Sequence, residues 1–246
     1  ELASGLVGEG RMAEPEDIVS FIEKDILSKL PLKGKKVLLT AGPTYEAIDP
    51  VRFIGNHSSG KMGFAIATVA ADLGAEVFLI SGPSQLQIKH SLVHRINVVS
   101  AAEMYQVVHK YFSEVDIAIL SAAVADYTPK KTASQKIKKT ALALEIELLP
   151  TKDILASLGA IKQHQYLVGF ALETNNELEN AKSKLQRKNL DAIVLNSLQD
   201  EGAGFATDTN KITFIDNAMN EQSFELKSKV EVAKDIMNEI IKKTNA

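Results

Sequence analysis

A segment rich in glycine, serine and basic residues, residues 49–63, has the composition of a phosphate-binding loop. It follows an apolar run typical of a strand and precedes an alanine-rich run typical of a helix. Backbone N–H groups at the start of a helix bind anions, and the helix dipole favours them. A serine cap with a glycine turn would explain Ser58, Ser59 and Gly60 without any ligand. Because Arg52 and Lys61 lie close by in the sequence, we instead predict an anion site.

The spacing of this segment resembles two nucleotide-binding motifs but fits neither. Residues 55–61 have the G-x-x-x-x-G-K spacing of a P-loop, yet Met62 follows where Ser or Thr should place a hydroxyl on Mg²⁺. After the first strand come residues 41–44, Ala-Gly-Pro-Thr, which lack the G-x-G-x-x-G fingerprint of dinucleotide-binding proteins. No acid ends the next strand, where such a protein would hold a ribose.

Strand and helix patterns alternate along most of the chain. Continuous apolar runs predict strands at residues 36–40, 76–80, 94–98, 117–120, 166–171 and 192–195. Periodic segments predict helices at 62–73, 101–112, from 153, at 176–187 and at 228–242, besides one that begins near Pro15 and ends before Pro31. Apolar strands alternating with helices indicate a parallel sheet covered on both faces.

Two regions depart from this alternation. The lysine-rich residues 130–150 predict an antiparallel flap, and residues 211–215 and 222–226 flank a turn that predicts a hairpin. The predicted fold is therefore α/β: a Rossmann-like doubly wound, mostly parallel sheet with an antiparallel flap and a C-terminal hairpin. A polar loop before the hairpin, residues 202–205 with Asp208 and Asn210, is expected to close the site or to serve dimerisation.

Composition excludes several classes of function. The net charge of -3 and pI near 6.0 argue against a nucleic-acid partner, and no apolar run approaches the ~20 residues of a membrane span. The chain has no cysteine, which excludes disulfides and thiolate metal sites and fits a cytoplasmic location. The histidines lack metal-ligand spacing, and His57, with no acid partner by spacing, is predicted to be structural.

Residues 40–63 closely resemble the phosphopantothenoylcysteine synthetase family, as do residues 122–127, 136–139, 169–174 and 184–191. The resemblance covers roughly residues 34 to 242. Residues 1–15 resemble the C-terminal tail of phosphopantothenoylcysteine decarboxylase, except that Ser4 stands where that tail usually has cysteine. The two enzymes are fused in many bacteria. We therefore expect residues 1–33 to be a decarboxylase remnant with a linker helix, and residues 34–246 to be the ligase domain.

The resemblance implies a CTP-dependent ligase that joins 4′-phosphopantothenate and L-cysteine through an acyl-cytidylate, with CTP as cosubstrate and Mg²⁺. FMN would belong only to the missing decarboxylase half. A homodimer that shares its active site is implied, with a larger assembly in the fused parent. A Rossmann-like NAD(P)- or flavin-binding oxidoreductase is the alternative, although the missing glycine fingerprint weighs against it.

The resemblance also assigns roles to residues. Asn56 and Lys136 would be catalytic, and Arg52 with Asn56 would bind the acyl substrate. Without the family, Asn56 would be interpreted as a turn residue, Arg52 as a surface ion pair and Lys136 as part of a solvated charge run. Asp126 could bind ribose or a metal. The nucleotide would contact Ser58, Ser59, Gly60, Ala123, Asp126, Lys136, Asp153, Ile154, Leu155, Phe170, Lys184 and Lys188.

Overall fold

The computed structural model describes residues 12–139, 143–173, 175–197 and 207–244. The helices are α1 (Pro15–Ser28), α2 (Lys61–Asp72), α3 (Ala101–Phe112), α4 (Ile154–Ile161), α5 (Glu177–Arg187) and α6 (Lys229–Thr244). The strands are β1 (Lys36–Ala41), β2 (Tyr45–Ala47), β3 (Phe53–Gly55), β4 (Glu76–Ser81), β5 (Val93–Asn97), β6 (Ile117–Leu120), β7 (Tyr127–Pro129), β8 (Leu148–Pro150), β9 (Tyr166–Glu173), β10 (Ala192–Ser197), β11 (Thr209–Asp216) and β12 (Glu221–Ser228).

Eight strands form the main sheet in the order β12-β11-β10-β9-β6-β1-β4-β5. Six of these strands, β10, β9, β6, β1, β4 and β5, are parallel. The other two, β11 and β12, add an antiparallel hairpin at one edge. The chain builds outward from β1 first toward β5 and then, from β6, toward β10, so the winding reverses between β1 and β6. The predictions of a doubly wound, mostly parallel sheet and of a C-terminal hairpin are confirmed.

Both faces of the sheet are buried, each against its own set of helices. Val37 and Leu39 of β1 belong to a core that includes residues of α2 and α6, whereas Leu38 belongs to a second core that includes residues of α3, α4 and α5. All three side chains are fully buried. Alternate residues of a strand point to opposite faces, so a strand buried on both sides is apolar throughout, as the sequence of β1 is.

The predicted flap is only partly strand. β7 and β8 pair antiparallel, which agrees with the prediction, and Lys130 donates its N–H to Glu147 O at 2.9 Å. The sequence of residues 144–148 alternates between apolar and acidic residues, as an extended strand would, but only Leu148 belongs to β8. The hairpin of β2 and β3 was not predicted, because strands of three residues are too short to show a period.

Helix α1 is present as predicted, with Pro15 in its first turn followed by Glu16 and Asp17. Its apolar side chains are not covered: Phe21 is 71% exposed and Ile26 is 57% exposed. None of the helices that the structure describes combines the length and apolar character needed to cross a membrane.

Candidate active site

A cavity of about 490 Å³ opens at the carboxyl ends of β1, β6, β9 and β10. It lies beside the point where the winding of the sheet reverses, which is where open α/β sheets bind ligands. Its volume is that of a small-molecule site. The predicted site residues that line it are Ser58, Ser59, Gly60, Ala123, Asp126, Asp153, Ile154, Leu155, Phe170, Lys184 and Lys188.

The start of α2 forms one wall of the cavity. Gly60 adopts a φ of +83°, which favours glycine, and turns the chain into the helix. A Cβ on Gly63 would lie 2.5 Å from the Cβ of Ala41, so glycine lets α2 approach the end of β1. The Ser58 and Ser59 hydroxyls accept from the N–H groups of Gly60 and Lys61 only at 3.3 and 3.5 Å. The N-terminus of a helix with such weak side-chain capping can bind an anion.

The loop after β1 supports the neighbouring loop after β6. Gly42 O accepts from Ala123 N–H at 2.9 Å, and Thr44 Oγ1 accepts from Ala125 N–H at 2.9 Å. In a dinucleotide-binding protein the loop after the first strand holds pyrophosphate. Here the loop after β1 is instead hydrogen-bonded to the loop after β6. It positions the alanine-rich loop, and with it Ala123 and Asp126, at the cavity.

Asn56 joins this arrangement from the segment before α2. Its Nδ2 donates to Ala123 O at 3.0 Å and to Val124 O at 3.2 Å. The side chain thus ties the loop before α2 to the loop after β6, close to the cavity wall. Both carbonyls compete for the amide hydrogens that we expected Asn56 to offer to an acyl oxygen.

The opposite wall comes from α4, α5 and β9. Asp153 caps α4 by accepting from Ala156 N–H at 2.9 Å, and its Oδ2 lies 2.7 Å from Lys188 Nζ. Burial is the largest single influence on the pKa of Asp153 and would raise it. The hydrogen bonds from Lys188 and the Ala156 N–H, together with the charges of Lys188 and Lys184, outweigh burial, and the pKa falls below its usual value. Lys184 Nζ donates to Phe170 O at 2.8 Å. Both lysines were expected to contact the nucleotide, and in the structure Lys188 forms an ion pair with Asp153.

Of the predicted site residues, Arg52, Asn56 and Lys136 do not line this cavity. Arg52 donates to the Asp49 carboxylate and to Ile137 O, the latter at 2.8 Å, and Ile137 N–H donates to Asp49 Oδ2 at 3.1 Å. The hydrogen bond from Arg52 holds the pKa of Asp49 well below its usual range. Lys136 is exposed beside this cluster. The structure therefore places the flap against the β2–β3 turn, away from the cavity of its own chain.

Sequence reasoning missed two polar residues that line the cavity, Asn196 and Lys229. Lys61, which also lines it, was named beside the predicted anion site. Asn210 was assigned to a polar loop, but it lies in β11 and is 1% exposed. Of that predicted loop, residues 202–205 lie outside the described residues, and Asp208 pairs with Lys61 at 2.6 Å. The sequence signal that could have identified such residues is a polar residue at the end of a predicted strand.

Three or more His, Asp or Glu side chains placed to bind a metal do not occur together in the described ranges. Asp126 borders the cavity without a second carboxylate in its lining other than Asp153, which Lys188 neutralises. Protein oxygens alone therefore offer a poor metal site here, and a divalent cation would be held chiefly by the phosphates of a nucleotide.

The model of one protein family, described as the DNA/pantothenate metabolism flavoprotein C-terminal domain, matches residues 32–244. The chain belongs to this family. The match includes all the residues that line the cavity and leaves α1 outside.

Several curated proteins that are longer than this chain match nearly its whole length. The coenzyme A biosynthesis bifunctional protein CoaBC of Bacillus subtilis is 47% identical over 97% of this chain, and that of Haemophilus influenzae 48% over 98%. This chain spans 59% and 60% of their lengths. A protein named cysteine/cysteine sulfinic acid decarboxylase, from an unknown prokaryotic organism, is 56% identical over 98% of this chain and 68% of its own length.

Solved structures share the fold. The crystal structure of the C-terminal domain of CoaBC is 41% identical, with a TM-score of 0.76 over 88% of this chain and 99% of that one. A Cab2 variant in complex with phosphopantothenate-cysteine is 18% identical, with a TM-score of 0.67 over 94% and 92% of the two chains, and supports the fold alone. This domain therefore corresponds to the C-terminal part of the CoaBC proteins.

Proposed function

We propose that this domain is a ligase of coenzyme A biosynthesis that uses CTP to join 4′-phosphopantothenate and L-cysteine. The observation that carries the proposal is the cavity in which the α2 N-terminus, the alanine-rich loop after β6 and the wall around Phe170 meet. The CoaBC names of the relatives support the pathway.

A carboxylate is a poor electrophile, so the reaction needs two steps. The phosphopantothenate carboxylate attacks the α-phosphorus of CTP, which forms an acyl-cytidylate and releases pyrophosphate. The cysteine amine then attacks the acyl carbon, loses a proton and expels CMP, leaving the amide of 4′-phosphopantothenoylcysteine. Negative charge accumulates on phosphate oxygens in the first step and on the acyl oxygen in the second, so fixed donors at both places would accelerate turnover.

The two walls of the cavity suit the two ends of a nucleotide. The N–H groups at Gly60 and Lys61 would bind phosphates, while Ile154, Leu155 and Phe170 would surround the base. Backbone groups at the start of α4 can read the exocyclic amine of cytosine, which is the basis for proposing CTP. Asn56, fixed at the loop after β6, would orient the acyl group where these two ends meet.

Arg52 and Lys136 require a second copy of the chain under this proposal. Both belong to the cluster around Asp49 and the flap, which lies outside the cavity of the same chain. A homodimer would bring this cluster of one protomer to the cavity of the other, so that Arg52 contacts the phosphate of the acyl substrate and Lys136 contacts the CTP phosphates.

Mg²⁺ fits the proposal as a companion of the nucleotide. When bound, it would neutralise phosphate charge and make the α-phosphorus more electrophilic. Asp126, a carboxylate in the cavity lining, is the residue of this chain that would contact it. The oxidoreductase alternative gains no support from the geometry, because the loop after β1 bonds to the loop after β6 instead of framing a dinucleotide.

A nucleotide panel tests the function. Pyrophosphate release would be measured with CTP, ATP, GTP or UTP, each with phosphopantothenate and cysteine present together or omitted singly. We expect release to require phosphopantothenate and to be fastest with CTP, and amide formation to require cysteine. NADPH should give no shift in melting temperature. Absence of pyrophosphate release with every nucleotide would overturn the proposal.

A further inference from the structure

Two residues of α3 contact the start of α4 from outside the cavity. Residues 151–155, which include the N-cap of α4, line the cavity. Tyr105 and His109 lie one turn apart on α3, are partly buried and do not belong to the lining. The sequence assigned no role to either residue. Both lie on the side of α4 that faces away from a bound ligand.

His109 contacts the first turn of α4 through Ser157. Its Nε2 lies 2.9 Å from Ser157 Oγ, which in turn donates to Ile154 O at 2.7 Å. A serine hydroxyl has one hydrogen and a carbonyl oxygen can only accept, so this hydrogen is committed to Ile154 O. Ser157 Oγ therefore accepts from the Nε2–H of His109. The two hydrogen bonds connect α3 to the backbone of a residue that lines the cavity.

His109 makes this contact as a neutral imidazole. Burial, and then the charge of Lys152, lower the pKa of His109. The ring is therefore uncharged at pH 7 and has a single N–H, which the contact with Ser157 places on Nε2.

Tyr105 contacts the residue that precedes the N-cap of α4. Lys152 Nζ lies 4.7 Å from the centroid of the Tyr105 ring, within the range of a cation–π interaction. The centroids of the Tyr105 and His109 rings are 4.1 Å apart. Lys152, Tyr105, His109 and Ser157 thus form a continuous series of contacts. It holds the start of α4 on both sides of the N-cap residue.

We propose that His109 is a positioning residue for recognition of the nucleotide base. It fixes the first turn of α4 through Ser157, and under the proposed function the backbone at the start of α4 contacts the base. A backbone that is already in place binds more tightly, because no free energy is spent on ordering it. The inference rests on the proposed function, to which it adds a determinant of nucleotide preference that lies outside the cavity.

Calorimetric titrations at pH 7 with CTP, UTP and inorganic pyrophosphate, each with Mg²⁺, would compare the wild-type protein with His109→Phe and Ser157→Ala. Phenylalanine retains a ring beside Tyr105 but has no N–H. We expect each variant to bind CTP about three- to tenfold more weakly, the effect of one lost neutral hydrogen bond. The preference for CTP over UTP should fall with it, and the affinity for pyrophosphate, which has no base, should stay the same.

Further variants show whether the effect passes through this contact. The double variant His109→Phe/Ser157→Ala should bind CTP no more weakly than either single variant, because both changes remove the same hydrogen bond. His109→Gln should restore CTP affinity to within about twofold, since its amide can donate to Ser157 Oγ. His94→Phe is the matched control. His94 also has a side-chain hydrogen bond, to Glu76 at 3.1 Å, and an aromatic neighbour, Phe78, but it lies away from the lining and should change nothing.

The outcomes separate this inference from the function on which it rests. Unchanged CTP binding in both single variants, equal weakening of CTP and pyrophosphate, or additive effects in the double variant would overturn the role of His109 even if the wild-type protein is an active ligase. A selective loss of CTP affinity in a protein without ligase activity would keep that role and reject the function. Absence of CTP binding to the wild-type protein would reject both.

Discussion

Asn56 has a structural contact and a proposed chemical role at the same time. Its amide donates to two carbonyl oxygens of the loop after β6. The family resemblance implies that the same amide also binds the acyl group of the substrate. These two uses fit together if the acyl oxygen takes the place of Val124 O, the longer of the two contacts at 3.2 Å. The residue would then act in the second step without contributing to nucleotide binding.

Asn56→Ala should therefore separate turnover from binding. We expect kcat to fall by about 100-fold or more, the usual effect of removing one donor from an acyl oxygen. The affinity for CTP, measured by calorimetry, should stay within about twofold because the α2 N-terminus is unchanged. Asn97→Ala, which removes an amide bonded to Arg95 at the far edge of the sheet, is the matched control. Full activity in Asn56→Ala would refute the assignment.

At the scale of elements, the flap depends on one buried carboxylate. Asp49 accepts from backbone N–H groups of its own turn and from Ile137 in the flap, and Arg52 lowers its pKa. A carboxyl with a depressed folded-state pKa stabilises the protein above its unfolded pKa of about 3.9, and that stabilisation is lost as the pH falls through the folded value.

Asp49→Asn should consequently be less stable than the wild-type protein at pH 7, and the difference should shrink below about pH 4. Chemical denaturation at pH 7, 5, 4 and 3 would measure it. Asp25→Asn offers a control, since Asp25 pairs with Lys29 on the exposed surface of α1 and should change little at any pH. A stability difference for Asp49→Asn that stays constant down to pH 3 would show that Arg52 does not hold the carboxylate charged.

Local patterns identified the elements better than the site. The ends of α3 and β6 follow from their apolar periods, and Ala101–Phe112 and Ile117–Leu120 agree with the predicted bounds. Asn196 was missed, and Asn210 was assigned to a loop, because strand order, which sequence periodicity does not encode, brings β10 and β11 to the cavity. The sequence offered a surface ion pair as one interpretation of Arg52 but did not identify Asp49 as its partner. A turn brings these two residues together, and a turn has no periodic pattern.

At the scale of the whole molecule, the cavity and the flap cluster are separate within one chain. The cavity lies at the carboxyl ends of the central strands, whereas Lys136 lies beside Asp49 and Ile137, where the flap packs against the β2–β3 turn. If both belong to one active site, the functional unit contains two chains. In a symmetric dimer each site would then combine Asn56 of one protomer with Lys136 of its partner.

Mixing two inactive variants tests this arrangement. Asn56→Ala and Lys136→Gln should each have little ligase activity alone. After subunit exchange in equal amounts, half of the dimers are mixed, and each mixed dimer has one intact site and one site with both defects, so about a quarter of the wild-type activity should return. The double variant Asn56→Ala/Lys136→Gln mixed with wild-type protein is the control: its mixed dimers have one defect in each site and should contribute nothing. In that control the wild-type homodimers alone should leave about a quarter of the full activity. An activity of about half in the control, without recovery in the first mixture, would place Asn56 and Lys136 in the same chain's site.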